Sequence, residues 1–225
     1  MLGFLVAKID GTSFREAMQR RLLEPLGMQD TDFYVPTEKM DRLAYVYTAV
    51  PETGTMERVD SPIYQATEPP EFAGGGGMLV STADDFLRFA RMLLGGGELD
   101  GVRILQPSTV ALMTENRLTP EQRQVPFLGM PSYWTSRGFG LGLSIVLDPE
   151  VHRLSAAGSL GSYGWPGAFG TWFQVDPVQQ LIIFYLVQSE RDLSPEGIAA
   201  IASGKRADPR TILIEFQKKV YEALE

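Results

Sequence analysis

The 225-residue sequence has no cysteine and one histidine, His152. Without cysteine there is no disulfide framework, no thiolate nucleophile and no thiolate-held zinc, iron–sulfur or copper site. One histidine also excludes an HExxH helix and any two- or three-histidine metal centre. Only a hard metal held by carboxylates is left open, and no carboxylate constellation can be identified, so no metal and no cofactor is expected. Positive charge is scarce as well: 20 Lys+Arg against 28 Asp+Glu give a net charge of −8, the wrong balance for a nucleic-acid partner. No apolar run approaches 18 residues, and the opening MLGFLVAKID is too short for a secretory signal and lacks its basic leader. Nothing directs the chain to a membrane, and the default expectation is the cytoplasm. What is present, 44% hydrophobic and 21% charged residues, excludes disorder as the main state.

Periodicity divides the chain into two characters. Leu2, Leu5, Val6 and Ile9 recur at helical spacing, with no capping residue before them and Gly11 as a stop; they read as the end of a helix whose beginning is absent. In TSFREAMQRRLLEPLGM, Ser13 and Glu16 form a capping box, and Phe14, Met18, Leu22 and Leu23 share a face. Residues 29–72 are rich in Pro, Thr, Asp and Glu and predict an irregular excursion with two small strands around Pro51-Glu52-Thr53-Gly54; the excursion either lines a cleft or packs on the domain. Four glycines then lead to Ser81, read with Asp84 as the cap of a helix with Phe86, Leu87, Phe89, Ala90, Leu93 and Leu94 on its apolar stripe. The glycine run matches no phosphate loop, and its expected use is close backbone approach. Pro107 starts a short helix, and a second irregular insertion carries Tyr133 and Trp134, either a ligand wall or loop packing.

From Gly138 onward the period changes. GFGLGLSIVLD, RLSAAGSL, GTWFQVD and QQLIIFYLVQ are short β-rich runs on links too short for crossover helices, which predicts an antiparallel meander. A closing helix with Ile212, Phe216, Val220 and Leu224 should lie across that sheet. The expected fold is α+β, of the α/β-sandwich kind: a partial helical domain with long cleft-lining loops over 1–135, and an antiparallel sheet with a packed terminal helix over 136–225.

The common nucleophile motifs are missing. There is no G-x-S-x-G, no S-x-x-K, no Tyr-x-Asn or Ser-x-Asn and no Lys-Thr-Gly. Ser203 has Lys205 two residues away rather than three and reads as loop; His152 follows a strand-end turn, lacks an evident serine partner and reads as a surface or locally bonded residue. Asp84 and Asp85 read as capping or solvent-facing, and Asp148-Pro and Asp176-Pro as turns, so no acid–base pair supports a glycosidase.

Four stretches, GTSFREAMQRRLLEPLGMQDTDF, GGGGMLVSTADDFLRFARMLLGGGELDGVRIL, GFGLGLSIVLDP and GSYGWPGAFGTWFQVDP, resemble in sequence and order the serine β-lactamase-like hydrolases, in particular the class C β-lactamase and family VIII esterase branch. The resemblance implies a sheet packed beside a helical domain, and acyl transfer to or hydrolysis of an ester or amide through a serine ester. It also implies that the nucleophilic serine, its lysine and the Tyr-x-Asn motif lie upstream of everything in this sequence, so no catalytic residue is identifiable and the chain alone is expected to be inactive. The third family motif, Lys-Thr-Gly, His-x-Gly or Trp-x-Gly, matches Trp165-Pro166-Gly167. By that resemblance Trp165 shapes the substrate pocket, Gly167 permits close approach and the Ala168 N–H is an oxyanion donor; Tyr163, Tyr133 and Trp134 are further pocket candidates. Packing at a hairpin end is the alternative for Trp165. A tryptophan here removes the charge that would pair with a β-lactam carboxylate, which favours an ester over a β-lactam. A catalytically inactive binding or oligomerisation module is the other reading, and in either case a complementary chain or self-association is expected to cover the exposed apolar surface.

Overall fold

The computed structural model describes residues 1–50, 53, 55–59, 67–127, 133–152, 156–190, 194–203 and 211–224. These form two compact units, Met1–Gln106 and Pro107–Glu225. The sequence reading drew its boundary at 135/136; the division at Pro107 follows from hydrogen bonds that tie the intervening stretch to the sheet. The Arg117 N–H donates to the Phe139 carbonyl at 2.8 Å, and the Arg123 guanidinium donates to the carbonyls of Trp134, Thr135 and Arg137 at 2.9–3.1 Å.

The first unit is mainly helical. Helix α1 (Leu2–Asp10) ends at Gly11, and α2 (Phe14–Met18) carries the expected capping box, with Glu16 N donating to Ser13 Oγ at 3.2 Å and Ser13 N to the Glu16 carboxylate at 2.9 Å. The chain continues through a π-helical turn, Gln19–Leu23, and buries Ala17, Leu23 and Leu26. The glycine run does serve close approach: a Cβ on Gly75 would lie 3.1 Å from the Gly3 nitrogen of α1. Strands β1 (Val46–Ala49) and β2 (Met56–Val59) form the expected hairpin, although residues 51, 52 and 54 of its turn lie outside the described residues. Helix α3 (Ala83–Leu94) starts one residue later than the sequence suggested: Thr82 is the cap and accepts from Asp85 N at 3.2 Å. Ser81 is diverted to Thr31, 2.7 Å away between hydroxyl oxygens, because the backbone bridge between Asp32 and Val80 holds these segments side by side. The expected stripe holds in the main, with Ala90 and Leu93 buried and Phe86, Phe89 and Leu94 half-buried; Leu87 is exposed, and Met92 is buried in addition. A small hairpin, β3 (Glu98–Leu99) and β4 (Val102–Arg103), closes the unit.

In the second unit, helix α4 (Pro107–Met113) starts at Pro107 as expected. Five antiparallel strands follow in sequential order: β5 (Arg137–Phe139), β6 (Ser144–Val146), β7 (Tyr163–Pro166), β8 (Trp172–Asp176) and β9 (Leu181–Tyr185). The meander expectation holds, with two corrections. GFGLGLSIVLD is a hairpin of two strands and not one run, and residues 156–160 of RLSAAGSL are irregular, residues 153–155 lying outside the described residues. Between β6 and β7, α5 (Pro149–His152) is one turn seeded by Asp148, whose carboxylate accepts from Glu150 N and Val151 N. Helix α6 (Pro195–Ala202) had escaped the periodicity, although Ser194-Pro195-Glu196 is a start signal.

Helix α7 (Thr211–Glu222) lies on the sheet, but not by the stripe expected of it. Ile212, Phe216 and Leu224 are exposed, while Leu213 and Gln217 are buried. The sheet explains the rotation: Gln174 and Asp176 on β8 are buried polar groups that need partners. Gln217 Nε2 donates to Gln174 Oε1 at 2.7 Å, and the Tyr221 hydroxyl donates to Asp176 Oδ2 at 2.6 Å. Asp176 also accepts from the backbone N–H groups of Ser159, Val178 and Gln179.

Candidate functional site

The site is built on the end of β7. Tyr163 and Gly164 are flanked by β6 and β8, but beyond Gly164 the strand has lost β6 and pairs only with β8, Trp165 opposite Phe173 and Pro166 opposite Trp172. Trp165-Pro166 is thus a local sheet edge, the setting in which a strand tolerates proline. The chain then turns tightly: Gly167 N donates to the Thr171 carbonyl at 2.8 Å, and Gly170 N to the Gly167 carbonyl at 3.1 Å. A Cβ on Gly167 would lie 1.9 Å from Thr171 Oγ1, so the turn is closed to larger residues unless Thr171 moves. Between these bonds Ala168 is exposed, and among the described residues its N–H donates to no acceptor. An unengaged backbone donor, exposed at a strand end and held by bonds on both sides, is the element an oxyanion requires.

Aromatic rings surround this edge. Trp165 meets Phe139 edge-on at 5.0 Å and Phe127 at 5.5 Å between centroids; Phe127 also contacts Tyr133 at 4.6 Å and Trp134 at 5.4 Å. Tyr133 and Trp134 lie edge to face at 4.8 Å. Trp165, Tyr133 and Trp134 are therefore brought together, and the cluster adds Phe127 and Phe139, which the sequence reading did not select. Phe139 carried a signal, as the large residue of Arg137-Gly138-Phe139 at the start of the sheet; Phe127 carried none beyond its neighbouring proline. Trp134 is buried in the cluster, whereas Trp165 and Tyr133 are half-buried. Tyr163 stands apart from these ring contacts: it is buried between Ile145 and Val175, and burial pushes its phenol up to about 12.

Behind the edge is a polar interior. The Arg137 guanidinium lies over the Tyr133 ring at 5.3 Å and the Trp172 ring at 5.0 Å. His152, expected to be at the surface or locally bonded and without a serine partner, is locally bonded and has one: it is 1% exposed, with Nδ1 3.2 Å from Ser136 Oγ and Nε2 3.5 Å from the Arg137 guanidinium. Burial and the Arg137 charge lower it to about 3, against a hydrogen bond with the Ala157 backbone that raises it. Ser136 is equally buried, so this serine–histidine contact is out of reach of a substrate. Asp85, read as capping or solvent-facing, is buried and accepts from Asp30 N and the Thr31 hydroxyl. Among the described residues no group of three or more His, Asp and Glu is arranged to hold a metal, and no helix is long and apolar enough to cross a membrane.

This architecture has known relatives. The beta-lactamase family model matches residues 1–205. An uncharacterized protein of Mycobacterium tuberculosis is 45% identical over 226 residues, which cover 100% of this chain and 56% of that protein. Simvastatin synthase (LovD) from Aspergillus terreus, as its LovD6 mutant, has a TM-score of 0.69 at 26% identity over 88% of this chain and 49% of that one. EstCE1, a hydrolase with promiscuous acyltransferase activity, has a TM-score of 0.68 over 90% of this chain and 51% of its own, and at 22% identity speaks for the fold alone. The chain spans about half the length of the curated relatives it matches over most of its length. The family match over residues 1–205, on an α+β fold with a sequential antiparallel sheet, establishes that the chain belongs to the beta-lactamase family.

Proposed function

We propose that this chain forms the cleft-bordering part of a serine acyl-transfer enzyme that hydrolyses an ester or amide, or passes its acyl group to an acceptor. A serine supplied by polypeptide outside these 225 residues attacks the substrate carbonyl and gives its proton to a lysine amine; the carbonyl oxygen takes the negative charge and accepts from the Ala168 N–H. Collapse expels the alcohol or amine with that proton and leaves an acyl-serine, which water or an acceptor alcohol then resolves. The observation that carries this reading is the Ala168 N–H, unengaged among the described residues, at the edge formed by Trp165-Pro166-Gly167. The name of ML-236A carboxylate methylbutanoyltransferase of Penicillium citrinum, 27% identical over 84% of this chain, supports acyl transfer as the reaction class.

An ester is favoured over a β-lactam. Trp165 supplies an aromatic face where a cation would hold a β-lactam carboxylate, and Arg137 is committed between two rings and buried. The second reading, a non-catalytic binding module, is supported by α1, where Leu2, Phe4, Leu5 and Ile9 are all exposed.

The test is Ala168→Pro in the complete enzyme, formed by this chain with the polypeptide that supplies the serine. Removal of the single N–H should lower kcat for a nitrophenyl ester by about 100-fold or more with little change in KM. An unchanged kcat in a folded variant contradicts the oxyanion role. If the variant fails to fold, Trp165→Lys replaces it: apparent affinity for half-esters bearing a free carboxylate should rise relative to neutral esters, and an unaltered preference counts against the pocket assignment.

A further inference from the structure

The first unit encloses a cavity of its own. It measures about 130 Å³ and opens among residues 29–36, the 3₁₀ turn Thr37–Arg42 with Leu43, and residues 80–82. Two backbone bonds join its lining segments, Asp32 N to the Val80 carbonyl at 3.2 Å and Val80 N to the Asp32 carbonyl at 2.9 Å. Its apolar lining is Tyr34, Val35, Pro36, Leu43 and Val80; the Arg15 guanidinium sits 5.1 Å from the centre of the Tyr34 ring. Its charged lining is Asp30, Asp32, Lys39 and Arg42.

Among the charged lining residues the carboxylates are engaged, and the cations are engaged only in part. Asp32 is clamped by Arg15 through two bonds of 2.7 and 2.6 Å, and its Oδ1 also accepts from Phe33 N. The two Asp30 oxygens accept from Lys39 Nζ at 2.6 Å and Arg42 Nη2 at 2.8 Å. Lys39 makes one further bond, to the Gln29 carbonyl at 3.2 Å, so one of its three protons is unengaged. Among the described residues Arg42 bonds only through Nη2, which leaves Nε and Nη1 as donors. Asp85 accepts from Asp30 N and the Thr31 hydroxyl. With Asp41 beside Arg42, four carboxylates, Asp30, Asp32, Asp41 and Asp85, outnumber the three cations Arg15, Lys39 and Arg42, so selection for an anion comes from directed donors and not from net charge.

We propose that this cavity binds a short-chain carboxylate of about two to four carbons, its oxygens accepting from Lys39 and Arg42 and its alkyl chain lying against Tyr34, Pro36 and Leu43. The volume fits, being room for about four waters at about 30 Å³ each. Neither cation is deeply buried, so the charge-assisted bonds are partly screened and affinity is in the millimolar range, about −4 kcal/mol at 1 mM. The site is independent of the acyl-transfer reading, since it lies wholly within the first unit and uses none of the residues around Trp165.

The experiment is a titration of the 225-residue chain with butyrate at constant ionic strength, followed by NMR line broadening of the butyrate methyl group, with butyramide as the neutral isostere. Saturable butyrate binding at millimolar concentration is expected, with butyramide at least about tenfold weaker. Lys39→Gln combined with Arg42→Gln should abolish it. Leu43→Trp, which fills the apolar side and leaves both cations in place, should do the same and serves where the double variant does not fold. Absence of saturable binding, equal binding of butyramide, or binding that survives Leu43→Trp in a folded protein overturns the proposal.

Discussion

At the scale of the residue, two positions combine burial with a constraint that a single change would expose. His152 is enclosed with Ser136 and Arg137 and is held neutral, its pKa near 3 against an ordinary 6.5. A group whose folded pKa is depressed in this way binds its proton more readily in the unfolded chain. Its contribution to stability is therefore complete above about pH 6.5 and is lost as pH falls towards 3, with a limiting slope of about 1.4 kcal/mol per pH unit. Urea denaturation at pH 7.5, 6.5 and 5.5, above the ordinary carboxylate pKa values, should show this fall in the native protein and its near absence in His152→Gln. Equal slopes in the two proteins contradict the assignment. Gly164 is the second position: a Cβ there would lie 1.9 Å from the Phe173 carbonyl oxygen across the β7–β8 ladder. Backbone cannot turn aside as Thr171 can beside Gly167, so Gly164→Ala is expected to cost about 1–3 kcal/mol or more in a thermal melt. Neither constraint was legible in the sequence. Ser136 is 16 residues from His152, and Phe173 reaches Gly164 only through strand pairing.

At the scale of the element, starts and stops were legible and faces were less so. The Ser13–Glu16 box, the start at Pro107 and the β1–β2 hairpin follow from local chemistry, and the structure has all three. The α3 cap moved from Ser81 to Thr82 because two adjacent hydroxyls both satisfy the pattern, and a tertiary contact to Thr31 decided between them. Thr82→Ala should cost about 1 kcal/mol as a lost cap. Helix α7 is the clearer case. Its apolar residues suggested one face, yet the buried side chains of Gln174 and Asp176 recruit another through Gln217 and Tyr221. Tyr221→Phe, which removes one donor to a buried carboxylate, should destabilise by about 1–3 kcal/mol. Phe216→Ala, on the exposed side, should cost less than about 1 kcal/mol. Chemical denaturation of both variants tests the rotation, and a larger loss at Phe216 would favour the apolar stripe instead.

At the scale of the whole molecule, strand order and family were legible because hairpin links admit little besides a meander and because four stretches keep the family's order. The aromatic cluster was read in part: Trp165 came from a motif, Tyr133 and Trp134 from composition, and Phe127 and Phe139 join them only in three dimensions. Helix α1 bears on assembly. Helices apolar on most faces are normally buried, and with Leu2, Phe4, Leu5 and Ile9 exposed we propose that α1 is covered by a complementary chain or a second copy. Light scattering of the chain alone and with the polypeptide that supplies the serine should then show a self-associated species or a stable complex, weakened by Leu5→Glu with Ile9→Glu, and a monomer with a cooperative melt in both samples contradicts this. The central claim, acyl transfer through a serine held in polypeptide outside these 225 residues and stabilised at Ala168, is tested most directly by peptide-mapped mass spectrometry of the complete enzyme quenched during turnover of an activated ester. The account predicts a single acyl adduct on a serine outside this chain. An adduct on a residue within the chain, or turnover with no adduct on any serine, contradicts it.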